Sequence, residues 1–157
     1  MRKILKLSRS LTDPIQTTAH NLSFITFDAE LHCEAWLELN NKIFQVHPDQ
    51  GNWAMADLEN RMREPWFDPE GFFLCVRDGI IVGFCWTKIH RDFVNVEPVG
   101  ELYVIGVDPS FSNQGIGKAV CTEGLIYLRN KGLSTAILYV DEDNAAGIGL
   151  YKSLGFN

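Results

Sequence analysis

The segment Ser112-Asn113-Gln114-Gly115-Ile116-Gly117 carries the clearest chemical signal in the sequence. It follows Asp108-Pro109-Ser110, which is turn chemistry. It leads into a helical pattern, with Val120, Cys121, Gly124, Leu125 and Leu128 on one face and Lys118, Thr122, Glu123 and Arg129 on the other. A glycine loop at a helix N-terminus offers free backbone N–H groups in the field of the helix dipole. Both favour an anion, most often a phosphate, and Gly115 and Gly117 would let the backbone come close to it. No Gly-Lys-Ser/Thr closes the segment, so it is not a P-loop. Val120 stands where a dinucleotide fingerprint has its third glycine. On Gly-x-Gly alone, a tight β–α turn without a ligand is an equal reading.

Two charged side chains stand on apolar strands. Alternation along Glu101–Val107 puts Glu101 on one face with Tyr103, Ile105 and Val107, a poor place for an unpaired carboxylate. A solvated glutamate at a strand start is the plainer alternative. Lys88 ends the row Ile80, Val82, Phe84 and Trp86; a lysine reaching solvent is the simpler reading. His47 and His90 stand alone and read as structural or solvated. Cys33, Cys75, Cys85 and Cys121 have no metal-binding spacing and fall on expected helices and strands, where cysteine acts as a small apolar group. That argues for reduced thiols, a cytoplasmic protein and no metal.

The elements that must position these groups follow from periodicity. Residues 1–20 are polar and basic and are expected to form a poorly ordered leader, followed by one domain over 21–157. Strands are expected at Leu22–Phe27, Phe72–Arg77, Ile80–His90, Gly100–Val107 and Thr135–Val140. Asp78-Gly79 is a strong hairpin signal. Helices are expected around Trp36, Leu39 and Ile43, then over Ala54–Met62, Gly117–Lys131 and Ala145–Leu154. The order gives an α/β (α+β) class with a mixed sheet. The 157 residues suffice for one core. The net charge of −6 argues against nucleic acid as a partner, and no apolar run is long enough for a membrane span.

The run Val104-Ile105-Gly106-Val107-Asp108-Pro109, followed by the glycine loop, resembles the acetyl-CoA motif of the GNAT acyltransferase superfamily. Leu138–Ala146 and Leu150–Phe156 resemble its next strand and helix. Val46–Gly51, Glu64–Pro69, Gly83–Lys88 and Gly100–Val104 are similar to the C-terminal half of the mycothiol synthase family. The resemblance covers residue 22 to the end. It implies a single GNAT domain with a mostly antiparallel sheet whose two strands flanking the loop helix splay apart. It also implies acetyl-CoA as co-substrate and a small-molecule amine as acceptor, the cysteinyl amine of the mycothiol precursor first among them. Another small amine, a protein N-terminus or a CoA-binding module without catalysis are the alternatives. By the resemblance, the family continues past the position of Asn157 with one or two strands and carries a further N-terminal half, so the domain over 21–157 is expected to stop short of those final strands. A second copy could cover an apolar surface left open, so a homodimer is one assembly the sequence allows.

Acetyl transfer from a thioester to an amine needs a base, an oxyanion donor and an acid for the leaving thiolate. By resemblance, Glu101 is the base and Tyr151 the acid. The oxyanion donor is a backbone N–H in Ile105, Gly106 and Val107, and the pyrophosphate rests on Ser112, Asn113, Gln114, Gly115, Ile116, Gly117 and Lys118. Asn144 caps the last helix or bonds CoA, and Asp49, Lys88, Glu101 and Tyr139 face the acceptor. Ser112 departs from the Gln or Arg usual at the first loop position, and a weaker hold on CoA is expected.

Overall fold

The computed structural model describes residues 3–17, 20–45, 51–91 and 96–157. Its strands are β1 (Ile4–Ser10), β2 (Ser23–Thr26), β3 (Phe72–Arg77), β4 (Ile80–His90), β5 (Val99–Val107) and β6 (Thr135–Asp141). Its helices are α1 (Cys33–Ile43), α2 (Met55–Met62), α3 (Ile116–Asn130) and α4 (Ala145–Ser153). The strands form one sheet in the order β1-β6-β5-β4-β3-β2, and every neighbouring pair is antiparallel except β5–β6. This is the mixed α/β sheet that the element order implies.

Each face of the sheet has its own core. Leu102, Cys85, Ala136, Leu138 and Val140 point to one side, where they pack with Val120, Cys121, Leu125 and Leu128 of α3 and Tyr151 of α4. Phe72, Leu74, Phe84, Trp86 and Val104 point to the other, against Trp36 and Leu39 of α1 and Leu58 of α2. The apolar stripe on α1 is therefore core packing. The β3–β4 hairpin turns at Asp78-Gly79, both with positive φ (52° and 78°), as a type I′ turn requires.

Residues 4–10 correct the expectation of a disordered leader. β1 runs antiparallel to β6 over seven registered pairs, from Ile4↔Asp141 to Ser10↔Thr135. On its other side Ser8 and Asn157 exchange backbone hydrogen bonds at 3.0 and 2.9 Å. Leu7 and Leu11 are buried in the α3 core. Polar and basic neighbours hide these two anchors in the sequence.

Two register shifts also overturn the simple alternation on which the strand faces were read. One lies in the β3–β4 ladder between Cys75 and Val76. It places Val82 with Cys75 and Ile116, away from Phe84 and Trp86. The other lies in the β4–β5 ladder, where Trp86 pairs with Val104 but Thr87 pairs with Leu102, leaving Tyr103 as the extra residue. Beyond this bulge Ile105 and Val107 pack with the α3-side clusters. Glu101 and Tyr103 do not share their face.

The feature that shapes the centre of the molecule is the β5–β6 pair. Its ladder holds only Gly100↔Ala136 and Glu101↔Ile137, although β5 continues to Val107 and β6 to Asp141. Past these pairs the strands diverge, and β5 is left with β4 as its partner: Cys85↔Ile105, Phe84↔Gly106 and Gly83↔Val107.

Candidate active site

The diverging strands open toward the glycine loop. After β5, Pro109–Phe111 forms a short 3-10 turn, and Asn113 (φ 61°) and Gly115 (φ 79°) take left-handed backbone before α3 begins. A Cβ on Gly115 would meet nothing within 4 Å, so glycine is there for its backbone angle. Gly117 differs. A Cβ there would lie 3.2 Å from Leu150 and 3.5 Å from Val107, so the missing side chain lets the first turn of α3 sit against α4 and the end of β5. Ile116 is buried against Cys75 and Val82 and pins the loop. The first N–H groups of α3 have no carbonyl within the helix to bond.

Two cationic features flank this loop. Arg77, at the end of β3, donates from Nη1 to the side-chain oxygen of Gln114, and its guanidinium lies 5.8 Å from the Phe111 ring centre. Lys118 lines a cleft of about 210 Å³ with Arg9 and Lys152. The site residues Ser112–Lys118 are thus brought together. The side-chain oxygen of Gln114 is occupied by Arg77.

Gly106 is a glycine for packing. The strand irregularity sits at Tyr103. A Cβ on Gly106 would come within 2.8 Å of Phe84 and 2.9 Å of Ile43, so glycine is required by packing from the α1 side. Asn144 does cap α4: its side-chain oxygen accepts from Gly147 N–H at 2.9 Å.

Glu101 is buried, at 7% exposure, and its carboxylate is paired. Across the ladder it stands opposite Lys88, and opposed residues of an antiparallel pair share a face. His90, two residues further along β4, shares that face, and its Nε2 lies 2.7 Å from Glu101 Oε1. The same face carries aromatic rings with cations on them. Lys88 Nζ is 4.7 Å from the Trp66 ring centre and 5.4 Å from that of Tyr103. Arg61 of α2 lies 4.0 Å over Trp53 and donates to the Tyr103 hydroxyl at 3.3 Å. Half-buried Lys88 thus sets its ammonium against two aromatic rings at the end of the strand. Tyr139 of β6 is 52% exposed, two residues beyond Ile137, the partner of Glu101. It lies on the side of the sheet opposite Leu138 and Val140. Asp49 lies outside the described residues.

Tyr151 is on the other side of the sheet, in the α3-side core with Cys85 and Cys121. Burial, then the two neighbouring thiols, pushes its phenol well above the ordinary value of 10.0. It keeps its proton throughout the neutral range. Glu101 and Tyr151 thus flank the diverging strands from opposite faces.

The model described as the acetyltransferase (GNAT) family matches residues 33–156. The chain belongs to this family. The GNAT match takes in the glycine loop, both diverging strands, Glu101 and Tyr151; β1 and β2 precede it. Mycothiol acetyltransferase of Thermobispora bispora is 46% identical over 158 residues, 99% of this chain and 54% of the relative. Mycothiol acetyltransferase of Thermomonospora curvata is 45% identical over 99% of this chain and 52% of its own length. The chain thus spans about half the length of the curated relatives it matches. Among solved structures, a GCN5-related N-acetyltransferase from Sphaerobacter thermophilus superposes with a TM-score of 0.75 over 99% of this chain and 48% of its own, at 22% identity, which speaks to the fold alone. An aminoglycoside N-acetyltransferase in complex with CoA gives a TM-score of 0.68 at 25% identity, covering 90% of this chain and 92% of that one. The GNAT-type fold expected from the sequence is confirmed.

Sequence reasoning missed three residues around this GNAT site: His90, Arg61 and Arg77. All three reach their partners through tertiary contacts. The β4–β5 register that sets His90 beside Glu101 is fixed by the bulge at Tyr103, which no local pattern announces.

Proposed function

We propose that this chain is the catalytic part of an acetyl-CoA-dependent N-acetyltransferase acting on a small-molecule amine, and that this amine is the cysteinyl amine of the mycothiol precursor. The observation that carries the reading is the opening between β5 and β6, which ends at the left-handed glycine loop. A thioester arm fits between strands whose facing edges are unpaired in the ladder beyond Glu101 and Ile137. Its pyrophosphate fits the N–H groups of Asn113–Lys118, with Arg77 and Lys118 as flanking cations. Arg77 supplies the charge that Ser112 does not. The link to mycothiol is supported by the relatives at 46% and 45% identity, which are named mycothiol acetyltransferase. The buried Cys75, Cys85 and Cys121 are all free thiols, which suits a reducing compartment, and we place the enzyme in the cytoplasm.

In this mechanism Glu101 removes one proton from the acceptor ammonium. The free amine attacks the thioester carbonyl carbon, and a backbone N–H within Ile105–Val107 steadies the oxyanion. The C–S bond breaks with its electron pair going to sulfur. Tyr151 donates a hydrogen bond to that sulfur. A phenol held above 10 stabilises a thiolate by hydrogen bonding better than by giving up its proton outright, because a thiol is the stronger acid. The second nitrogen proton completes the thiol, so one proton leaves to solvent for each amide formed. Lys88, Tyr139 and Asp49 bind the acceptor's hydroxyl groups.

The test is release of free CoA thiol with cysteinyl-glucosaminyl-inositol as acceptor, beside a panel of other small amines and an N-terminal peptide. Acceptor-dependent release with the cysteinyl compound supports the assignment. Release with another amine alone overturns the acceptor, and binding of acetyl-CoA without release on any amine makes the chain a CoA-binding module.

A further inference from the structure

The carboxylate assigned as base has two oxygens, and the structure distinguishes them. Glu101 Oε1 lies 2.7 Å from His90 Nε2. An ionised carboxylate can only accept, so His90 donates its Nε2–H to Oε1. Oε2 is left for the substrate. The two side chains belong to adjacent strands and face the same side of the sheet, so the pair is set by the ladder and not by a mobile loop. The exposures are graded: the Glu101 side chain is 9% exposed and that of His90 29%. The buried carboxylate therefore meets solvent partly through an imidazole. Among the described residues, the charged or titratable groups on this face include Lys88 of β4, Tyr103 of β5 with Arg61 of α2 on its hydroxyl, and Tyr139 of β6.

We infer that His90 is a positioning residue for Glu101 and sets the acid limb of the reaction. This rests on the reading of Glu101 as the base. Neutral His90 fixes the carboxylate so that Oε2 meets the ammonium. Histidine is the side chain that ordinarily changes charge near neutrality. On protonation, its positive charge beside Oε1 makes the carboxylate a weaker base, so turnover falls as pH falls.

The experiment compares wild type, Glu101→Gln, His90→Ala and His90→Gln for acetyl-CoA affinity and for kcat/KM between pH 5 and pH 9. The expected result is unchanged acetyl-CoA affinity in all four, with Glu101→Gln nearly inactive. His90→Ala should lose about tenfold in kcat/KM or more. His90→Gln, which can still donate one bond but does not titrate, should recover most activity near neutrality with its acid limb displaced to lower pH. An active Glu101→Gln removes the base itself, and the inference falls with it. An inactive Glu101→Gln beside a His90→Ala with wild-type kcat/KM and pH profile overturns the role of His90 alone. Equal losses in both His90 variants, with the wild-type limb retained, would show a structural side chain only and overturn it as well.

Discussion

Asp108 closes β5 at the mouth of the glycine loop, and its environment makes a testable demand on stability. The carboxylate accepts the Ser110 backbone N–H at 2.9 Å and Lys42 Nζ at 3.1 and 3.2 Å. The Ser110 bond, with Lys42 adding to it and burial opposing, holds its pKa below the ordinary 3.8. A depressed carboxylate stabilises the fold above its unfolded value, and that stabilisation is lost as pH falls through the folded value. Asp108→Ala should cost about 1–3 kcal/mol near neutral pH. In urea melts at stepped pH the gap to wild type should close below 3.8; a gap that is constant with pH would rule out ionisation as its source. Tyr151 gives a second prediction at this scale. Tyr151→Phe should slow turnover by about a hundredfold with acetyl-CoA affinity kept, and full activity at every pH would remove the hydroxyl from the mechanism. Both side chains were legible in sequence, Asp108 as turn chemistry and Tyr151 by resemblance. His90 was not. Its meaning depends on a partner eleven residues away whose register the bulge decides.

At the scale of elements, the loop and its flanking strands act as one unit. Asp78-Gly79 marked the hairpin in the sequence because a type I′ turn needs positive φ at both central positions, which Asp and Gly tolerate. That hairpin carries Arg77 to the loop, which the sequence did not show. If Arg77 answers for the missing cation at Ser112, Arg77→Ala should raise KM for acetyl-CoA about two- to fivefold, the range of an exposed charge contact. KM for acetyl-pantetheine, which has no pyrophosphate, should stay the same. An equal rise for both donors would mean that Arg77 only shapes the loop. The strand faces were misread for a related reason. Alternation was applied through Tyr103 and Val82, and each bulge reverses it. The pattern of hydrophobic residues could not reveal this, since both faces of this sheet are buried.

The whole molecule is a sheet with a separate core on each face and one deliberate fault between its central strands. Its topology was legible from element order and from the resemblance, apart from the first strand. β1 has a single buried residue, Leu7, in a polar setting, too little for periodicity to register. Yet it completes the edge beside β6, and Leu11 after it is 1% exposed. Leu11→Ala should therefore destabilise the entire domain by about 2–4 kcal/mol in a single unfolding transition. A loss below about 0.5 kcal/mol, the scale of surface changes, would return residues 4–11 to the status of a leader. The account as a whole turns on where acetyl-CoA sits. Amide chemical-shift mapping during an acetyl-CoA titration tests this most directly. The largest shifts should fall on Ile105–Val107 and on Asn113–Lys118, with smaller ones on Tyr139–Asn144 across the opening. Shifts confined to another surface, or none at saturating acetyl-CoA, would contradict the placement of the cofactor and with it the assignment of Glu101 and Tyr151.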